Sequence, residues 1–403
     1  MGQSTPGQLV WIRFKKNRLA LASLWLIGLS LFVAAFCYFI IPDGTPDANR
    51  MCLPINNRPP GFSVQMILLK KNTPSEQVNW WNQMLYGEKD QYDAVAVTDV
   101  MVMGDSVSYT PYSDGSVKFP LLKISLADAV WSLSDPSKVV VEGSAIRSIG
   151  TDGQTLQESR EKLAATFCEQ QVVQRSFRLG TDRYGRDMLS RLLVGTRITF
   201  LVGLVAVVIS LFVGVVLGGL AGYFRGKMDQ FILWLINVIW SIPTLLLVIA
   251  ITLVLGKGFT QVFVAVGLTM WVDVARIVRS QLFAVRELDF VAAGRTMGFS
   301  DSRILFRHML PNVVGPVLVV AASNFSTAIL LEAGLSFLGI GAQPPTPSWG
   351  AMIKENYGFI ILPDSAYLAI LPGFAILLLT LAFTFVANGL RDAMDSRKQL
   401  LGG

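Results

Sequence analysis

Histidine is nearly missing from this sequence: His308 is the single one in 403 residues, and cysteine occurs three times, at Cys37, Cys52 and Cys168. A zinc site needs clustered His and Cys, so this inventory excludes one, and no metal ligand is assigned. His308 has no Ser or Cys nucleophile set beside it in a motif, so no catalytic residue is assigned either. A phosphate-binding loop of the form G-x-x-x-x-G-K-[ST] is absent, so the chain is not an ATPase, and no cofactor is expected. Charge is scarce as well, 15% of residues against 52% hydrophobic. The long apolar runs hold no ionisable residue, with Asp273 and Glu332 only at their margins. That argues against the proton or sodium relays of a secondary carrier or channel.

What is there is apolar sequence in lengths that span a bilayer, about 20 residues each. Six spans are expected, at 19–41, 198–224, 231–256, 258–272, 312–331 and 365–390, which makes this an α-helical polytopic membrane protein. The fourth is short, and is expected to extend through Asp273 to Ala275 with the carboxylate turned toward protein or water. The net charge of +6 does not point to nucleic acid, because Lys and Arg gather beside the apolar runs as cytoplasmic flanks do. Arg13, Lys15, Lys16 and Arg18 place the N-terminus (1–18) in the cytoplasm, and the first span, without a small-residue cleavage site, stays as an anchor. Arg225 and Lys227 then fall in one cytoplasmic loop, Arg276 to Arg307 in another, and Arg391, Arg397 and Lys398 in a cytoplasmic tail (391–403).

Residues 42–178 are too long and polar for a simple loop and read as a small α+β domain on the outer, periplasmic side, inserted between spans 1 and 2. "DAVAVTDVMVMG" and "SVSYTPYSDGSVKF" alternate like strands, with Asp114-Gly115 as the hairpin turn, and "TLQESREKLAATFCEQQ" reads as an amphipathic helix. Cys52 and Cys168 flank this domain in an oxidising compartment, which leaves open a disulfide closing its base or two unpaired thiols. Gly214, Gly218 and Gly222 line one face of the second span, a surface for close helix packing within the chain or with a partner.

One polar stretch interrupts the greasy half of the chain: "DFVAAGRTMGFSDSRILFRHMLPN", 289–312. It reads as a short helix over 289–297 with Asp289 at its favourable start, ended by Gly298. Ser300 then caps a second helix, and Pro311 marks the return to the membrane. This stretch resembles the "EAA" cytoplasmic loop of bacterial ABC importer permeases. Ala292, Ala293 and Gly294 fall where that family has Glu-Ala-Ala, Gly298 matches its glycine and Leu310-Pro311 its ending, so two of the three namesake positions depart. The resemblance implies that the loop (287–311) docks on an ATPase subunit, with Asp289, Phe290, Ala292, Ala293, Gly294, Arg295, Gly298, Arg303, Leu310 and Pro311 as its residues. Arg295, Arg303 and Arg307 either pair with acidic groups there or form a solvated basic face.

A second match narrows the resemblance. "LGTDRYGRDMLSRLLVGTRIT" (179–199) is similar to the segment before the second span in dipeptide, oligopeptide and nickel permeases, with Gly180, Thr181, Asp182, Gly185, Arg186 and Asp187 as its signature. "AGYFRGKMD" (221–229), "SIPTLLL" (241–247), "EAGLSFLGIGAQPPTPSWGAMI" (332–353) and "NGLRDAMDSR" (388–397) continue the likeness in order. The resemblance implies a type I ABC importer permease fold with its core over 179–390, in the bacterial inner membrane. It implies a second permease as heterodimer partner, two ATPase subunits and an extracytoplasmic binding protein. Peptide is the substrate it favours, with nickel chelates or glutathione as alternatives. The insert is longer than the connection this family implies, and the resemblance does not reach it. A ligand-binding membrane sensor would need a cytoplasmic signalling domain, and the tail is only a short basic stub.

Overall fold

The apolar runs become helices where expected, but the helices outrun them. The structure, a computed structural model, describes residues 6–74, 79–115, 119–256 and 258–395. Arg397 and Lys398 of the expected tail, and residues 116–118, lie outside the described residues. Two compact units emerge. One comprises Met1–Ala34, Gly195–Glu355 and Ala369–Gly403, the other Ala35–Val194 and Asn356–Leu368. The chain opens with α1 (Pro6–Lys16) and α2 (Arg18–Ile40). Phe14 at the end of α1 is buried in a cluster with Ala20, Val386 and Ala393.

After α2 the chain builds the expected α+β insert. Its strands are β1 (Phe62–Lys70), β2 (Tyr92–Met103), β3 (Ser106–Pro111), β4 (Leu122–Ser125), β5 (Val140–Glu142), β6 (Ala145–Ile149), β7 (Thr155–Ser159) and β8 (Val172–Phe177). Short helices α3 (Trp80–Tyr86), α4 (Leu126–Val130) and α5 (Arg160–Thr166) accompany them. An antiparallel sheet runs β4-β3-β2-β1-β8, beside a smaller one, β5-β6-β7. Side chains alternate across the larger sheet, as the period of two requires. Val64, Met66, Ala94 and Ala96 pack with Cys52, Ile55 and Phe177 on one face. Ile67 and Val97 pack with Leu126, Leu163 and Phe167 on the other. A bulge in β2 between Val97 and Asp99 shifts the alternation by one, so Val100 and Val102 reach the same core as Val97.

Two local expectations are corrected here. The tight hairpin is β2–β3, turned by Gly104-Asp105, where Gly104 takes φ +63°. Asp114-Gly115 instead lies in the longer β3–β4 connection, with Asp114 paired to Arg58 at 3.0 Å. The amphipathic helix begins late, because "TLQES" is β7 and pairs with β6; Ser159 then caps α5 by accepting from the Lys162 N–H at 3.3 Å.

The remaining helices are α6 (Met188–Phe224), α7 (Gly226–Trp240), α8 (Thr244–Leu255), α9 (Phe259–Arg286), α10 (Asp289–Thr296), α11 (Asp301–Arg303), α12 (Leu310–Phe337), α13 (Trp349–Asn356) and α14 (Tyr367–Met394). Among the described residues five helices are long and apolar enough to cross a membrane, or up to six when one bent pair is counted as a single span. That pair is α7 and α8, which meet at 92° across Ser241-Ile242-Pro243, where proline has no N–H to carry the helix on. The expected fourth span is α9, which runs past Ala275 to Arg286 and carries Asp273 exposed on its surface. Its cations are accommodated on the helix. Arg279 pairs with both carboxylate oxygens of Asp229, and Arg276 lies 3.9 Å over the Trp240 ring. The glycine face of α6 packs against α9: a Cβ at Gly214 would strike Val274, one at Gly218 the Ala275 backbone, and one at Gly222 Leu282. Close approach within the chain is what those glycines serve. Glu332 is buried in α12 and accepts from Ser336 Oγ at 2.6 Å.

Candidate functional site

The stretch that interrupts the hydrophobic half becomes α10, a turn, and a second helix. α10 starts at Asp289, an acid in the first turn where the helix dipole favours it. Val291 and Gly294 turn inward, and Val291 joins Val285, Ile304, Leu305 and Met309 in one buried cluster. The outward side carries Ala292, Ala293 and Arg295, together with Leu288, Phe290 and Met297, which are 48%, 42% and 69% exposed. Three large apolar side chains beside two alanines form a surface that asks for cover.

Gly298 ends α10 by a defined mechanism. It takes φ +76°, its N–H donates to Arg295 O at 3.0 Å, and the Phe299 N–H donates to Gly294 O at 3.1 Å. This is the left-handed cap with two reversed hydrogen bonds that glycine favours. Ser300 has the extended backbone of a cap residue, but its hydroxyl lies 3.3 Å from Ser302 Oγ and does not cap the helix. Pro311 does not begin a new helix. A wider π-helical stretch, Ile304–Met309, joins α11 to α12, so the helix is continuous from Asp301 to Phe337. Arg303 lies 4.1 Å over Phe299, and His308 stacks on the same ring.

Residues outside the motif hold this loop in place. The Tyr223 hydroxyl donates to Asp301, its carbonyl accepts from Arg286, and Arg295 and Arg286 lie 5.8 and 5.9 Å over its ring. Arg225 pairs with Glu287 at 2.7 Å. Tyr223 and Arg225 belong to "AGYFRGKMD", so the sequence flagged that segment without revealing that it clasps a loop more than sixty residues away.

The signature before α6 is a latch. Gly180 and Gly185 have φ +71° and +72°, and a Cβ on either would strike backbone, at Arg58 and Cys52. Thr181 Oγ1 accepts from the Arg58 N–H at 2.9 Å, and the Asn57 N–H donates to Asp182 O at 3.0 Å. Asp182 accepts from Tyr184 N, Arg186 N and Arg186 Nε at 2.9, 3.0 and 2.7 Å, and Arg186 also donates to Asn49. Both charges of this pair are buried. Asp187 accepts from the backbone and hydroxyl of Ser190, and burial pushes its carboxyl above the ordinary range. These six residues are thereby committed to structure. The disulfide is not formed: Cys37, Cys52 and Cys168 are free. Cys52 is buried and backbone-bonded to Tyr184 within the latch, and burial raises its thiol pKa, whereas Cys168 is exposed beyond α5.

Comparison with known proteins identifies the relatives of this chain. A family model described as binding-protein-dependent transport system inner membrane component matches residues 214–400, which include α10 and its clasp. A second, the N-terminal TM domain of oligopeptide transport permease C, matches residues 5–60. The glutathione transport system permease protein GsiD of Pectobacterium atrosepticum is 40% identical over 219 residues, 54% of this chain and 72% of that protein. The oligopeptide transport system permease protein OppC of Bacillus subtilis is 37% identical over 218 residues, 54% of this chain and 71% of that protein. The dipeptide transport system permease protein DppC of Lactococcus lactis is 30% identical over 395 residues, 97% of this chain and 90% of that protein. The last alignment runs through the insert, so a family relative does share a region that the sequence resemblance left uncovered. The chain therefore belongs to the binding-protein-dependent transport system inner membrane component family, as the non-catalytic, multi-pass permease of a bacterial ABC importer of the peptide and glutathione type.

Proposed function

We propose that this permease carries short peptides inward as half of a heterodimeric pathway, with both termini in the cytoplasm and the insert on the outer side. Support for peptide comes from the alignment along 97% of the chain to a dipeptide permease, with further dipeptide, di/tripeptide and oligopeptide permeases aligned over 54%, 56% and 54%. In this reading α10 docks on an ATPase subunit through Phe290, Ala292, Ala293 and Met297. The small residues let the two backbones approach, and Phe290 and Met297 gain cover. With Ala292 in place of the family's glutamate, the grip rests on shape and on Arg295 rather than on a carboxylate. The clasp at Tyr223 supports the next step, because a push on α10 reaches α6 and α9 through packed and hydrogen-bonded groups. A binding protein would deliver the peptide from outside, biasing the pathway between its two open states.

The test is reconstitution of the full importer in proteoliposomes with ATP inside and binding protein outside. Labelled dialanine is expected to accumulate only with ATP, and excess unlabelled glutathione should leave that uptake unchanged. Ala293→Trp is expected to leave the complex assembled while uncoupling hydrolysis from uptake. Normal coupled uptake in that variant would overturn the docking assignment, and competition by glutathione would overturn the substrate.

A further inference from the structure

The insert contains a polar cleft of about 280 Å³ that the permease reading does not use. Its walls include Thr45, Arg50, Glu88, Lys89, Tyr92 and Arg175. Two of its cations are already engaged. Arg50 pairs with Asp90 at 2.7 Å, and Lys89 has interactions of its own. The guanidinium of Arg175, partly buried on β8 opposite Val64, has neither a hydrogen bond nor an ion pair among the described residues. Burial and the neighbouring Arg50 both weigh against its charge, while Asp43, Asp187 and Asp90 favour it only from a distance.

Those carboxylates are held elsewhere. Asp43 accepts from the backbone and hydroxyl of Thr45 and from the Arg50 N–H, Asp187 accepts from Ser190, and Asp90 is shared by Arg50 and Lys71. A guanidinium taken partly out of water with its five donors uncommitted is costly unless an acceptor arrives, and its planar fork matches a carboxylate. Glu88 in the wall disfavours a doubly charged anion such as phosphate, so the cleft suits a single negative charge.

We infer that this cleft is a carboxylate-binding site, with Arg175 as its anchoring fork. The carboxylate comes either from the C-terminus of an incoming peptide or from an acidic side chain of the docked binding protein. The inference rests on the insert facing outward in an importer, as proposed above.

The experiment uses the reconstituted importer with wild-type chain, Arg175→Gln and Arg175→Lys. Uptake of labelled dialanine and of dialanine amide is measured, and so is the affinity of binding protein for the complex. A peptide carboxylate predicts that Arg175→Gln raises KM for dialanine about tenfold and leaves the amide unchanged, with binding-protein affinity intact. A binding-protein carboxylate predicts about tenfold weaker association, equal for both peptides. Arg175→Lys keeps the charge without the fork and should recover part of either loss; it also serves if Arg175→Gln fails to assemble. Unchanged KM and unchanged association overturn the site. Absence of ATP-driven uptake by the wild-type complex would instead overturn the transport reading, and the association measurement would still report on the cleft.

Discussion

Two glycines four residues apart in the loop should respond oppositely to the same substitution. At Gly298 no atom lies within 4 Å of an added Cβ, so Gly298→Ala meets no steric obstacle. Its cost is in the backbone alone, because φ +76° penalises an L residue by about 1–2 kcal/mol. Reduced freedom of the unfolded chain returns about 0.4–1 kcal/mol, leaving a net loss near 1 kcal/mol. Gly294 lies inside α10 with no positive φ, and a Cβ there would sit 3.5 Å from Phe299 and 3.8 Å from Ile304, ordinary contacts. Gly294→Ala therefore collects the helix preference of alanine, about 0.5–1 kcal/mol. The readout is amide hydrogen exchange of residues 289–303 in the purified chain, where each change corresponds to about a fivefold shift in local opening. Opening should rise in Gly298→Ala and fall in Gly294→Ala. Unchanged exchange in the first, or faster exchange in the second, would refute the account of how α10 is terminated and packed.

Arg186→Gln removes the nearer cation of the buried Asp182 carboxylate and leaves Arg191 at 3.5 Å, with a loss of about 1.5–3 kcal/mol expected as a lowered thermal midpoint in detergent; an unchanged midpoint would mean the latch is not a stabilising element. Gly218→Leu drives a side chain into the Ala275 backbone and should separate α6 from α9. A cysteine pair placed across that interface reads this out as lost crosslinking, and retained crosslinking with normal yield would contradict the close packing described.

The sequence announced the helices through unbroken apolar runs, and it announced the loop through the one place those runs fail. It understated α9 because Asp273, Arg276 and Arg279 look like the end of a span when read locally. Their accommodation depends on Asp229, fifty residues away, and on the Trp240 ring. Tyr223 was equally opaque: nothing in the local pattern of "AGYFRGKMD" says that its hydroxyl meets Asp301. In the insert, an Asp-Gly pair outranked Gly-Asp as a turn signal, yet strand register placed the hairpin at Gly104. "TLQES" matched a helical period until pairing with β6 claimed it, since five residues are too few to separate the two periods. The Gly180 to Asp187 signature was visible as a pattern, but its architectural role was not, because its partners lie at Cys52, Asn57 and Arg58.

That latch has a further consequence once β1 and β8 are considered with it. Phe62 stands opposite Phe177, the Gly61 N–H donates to Phe177 O at 2.9 Å, and Asn57, Arg58 and Cys52 are bonded across to residues 181–184. The chain thus leaves for the insert and returns from it along a single zipped seam. An excursion of more than a hundred residues is thereby closed at its base by backbone hydrogen bonds. Residues added or removed beyond the seam leave the hydrogen bonds of the seam itself untouched.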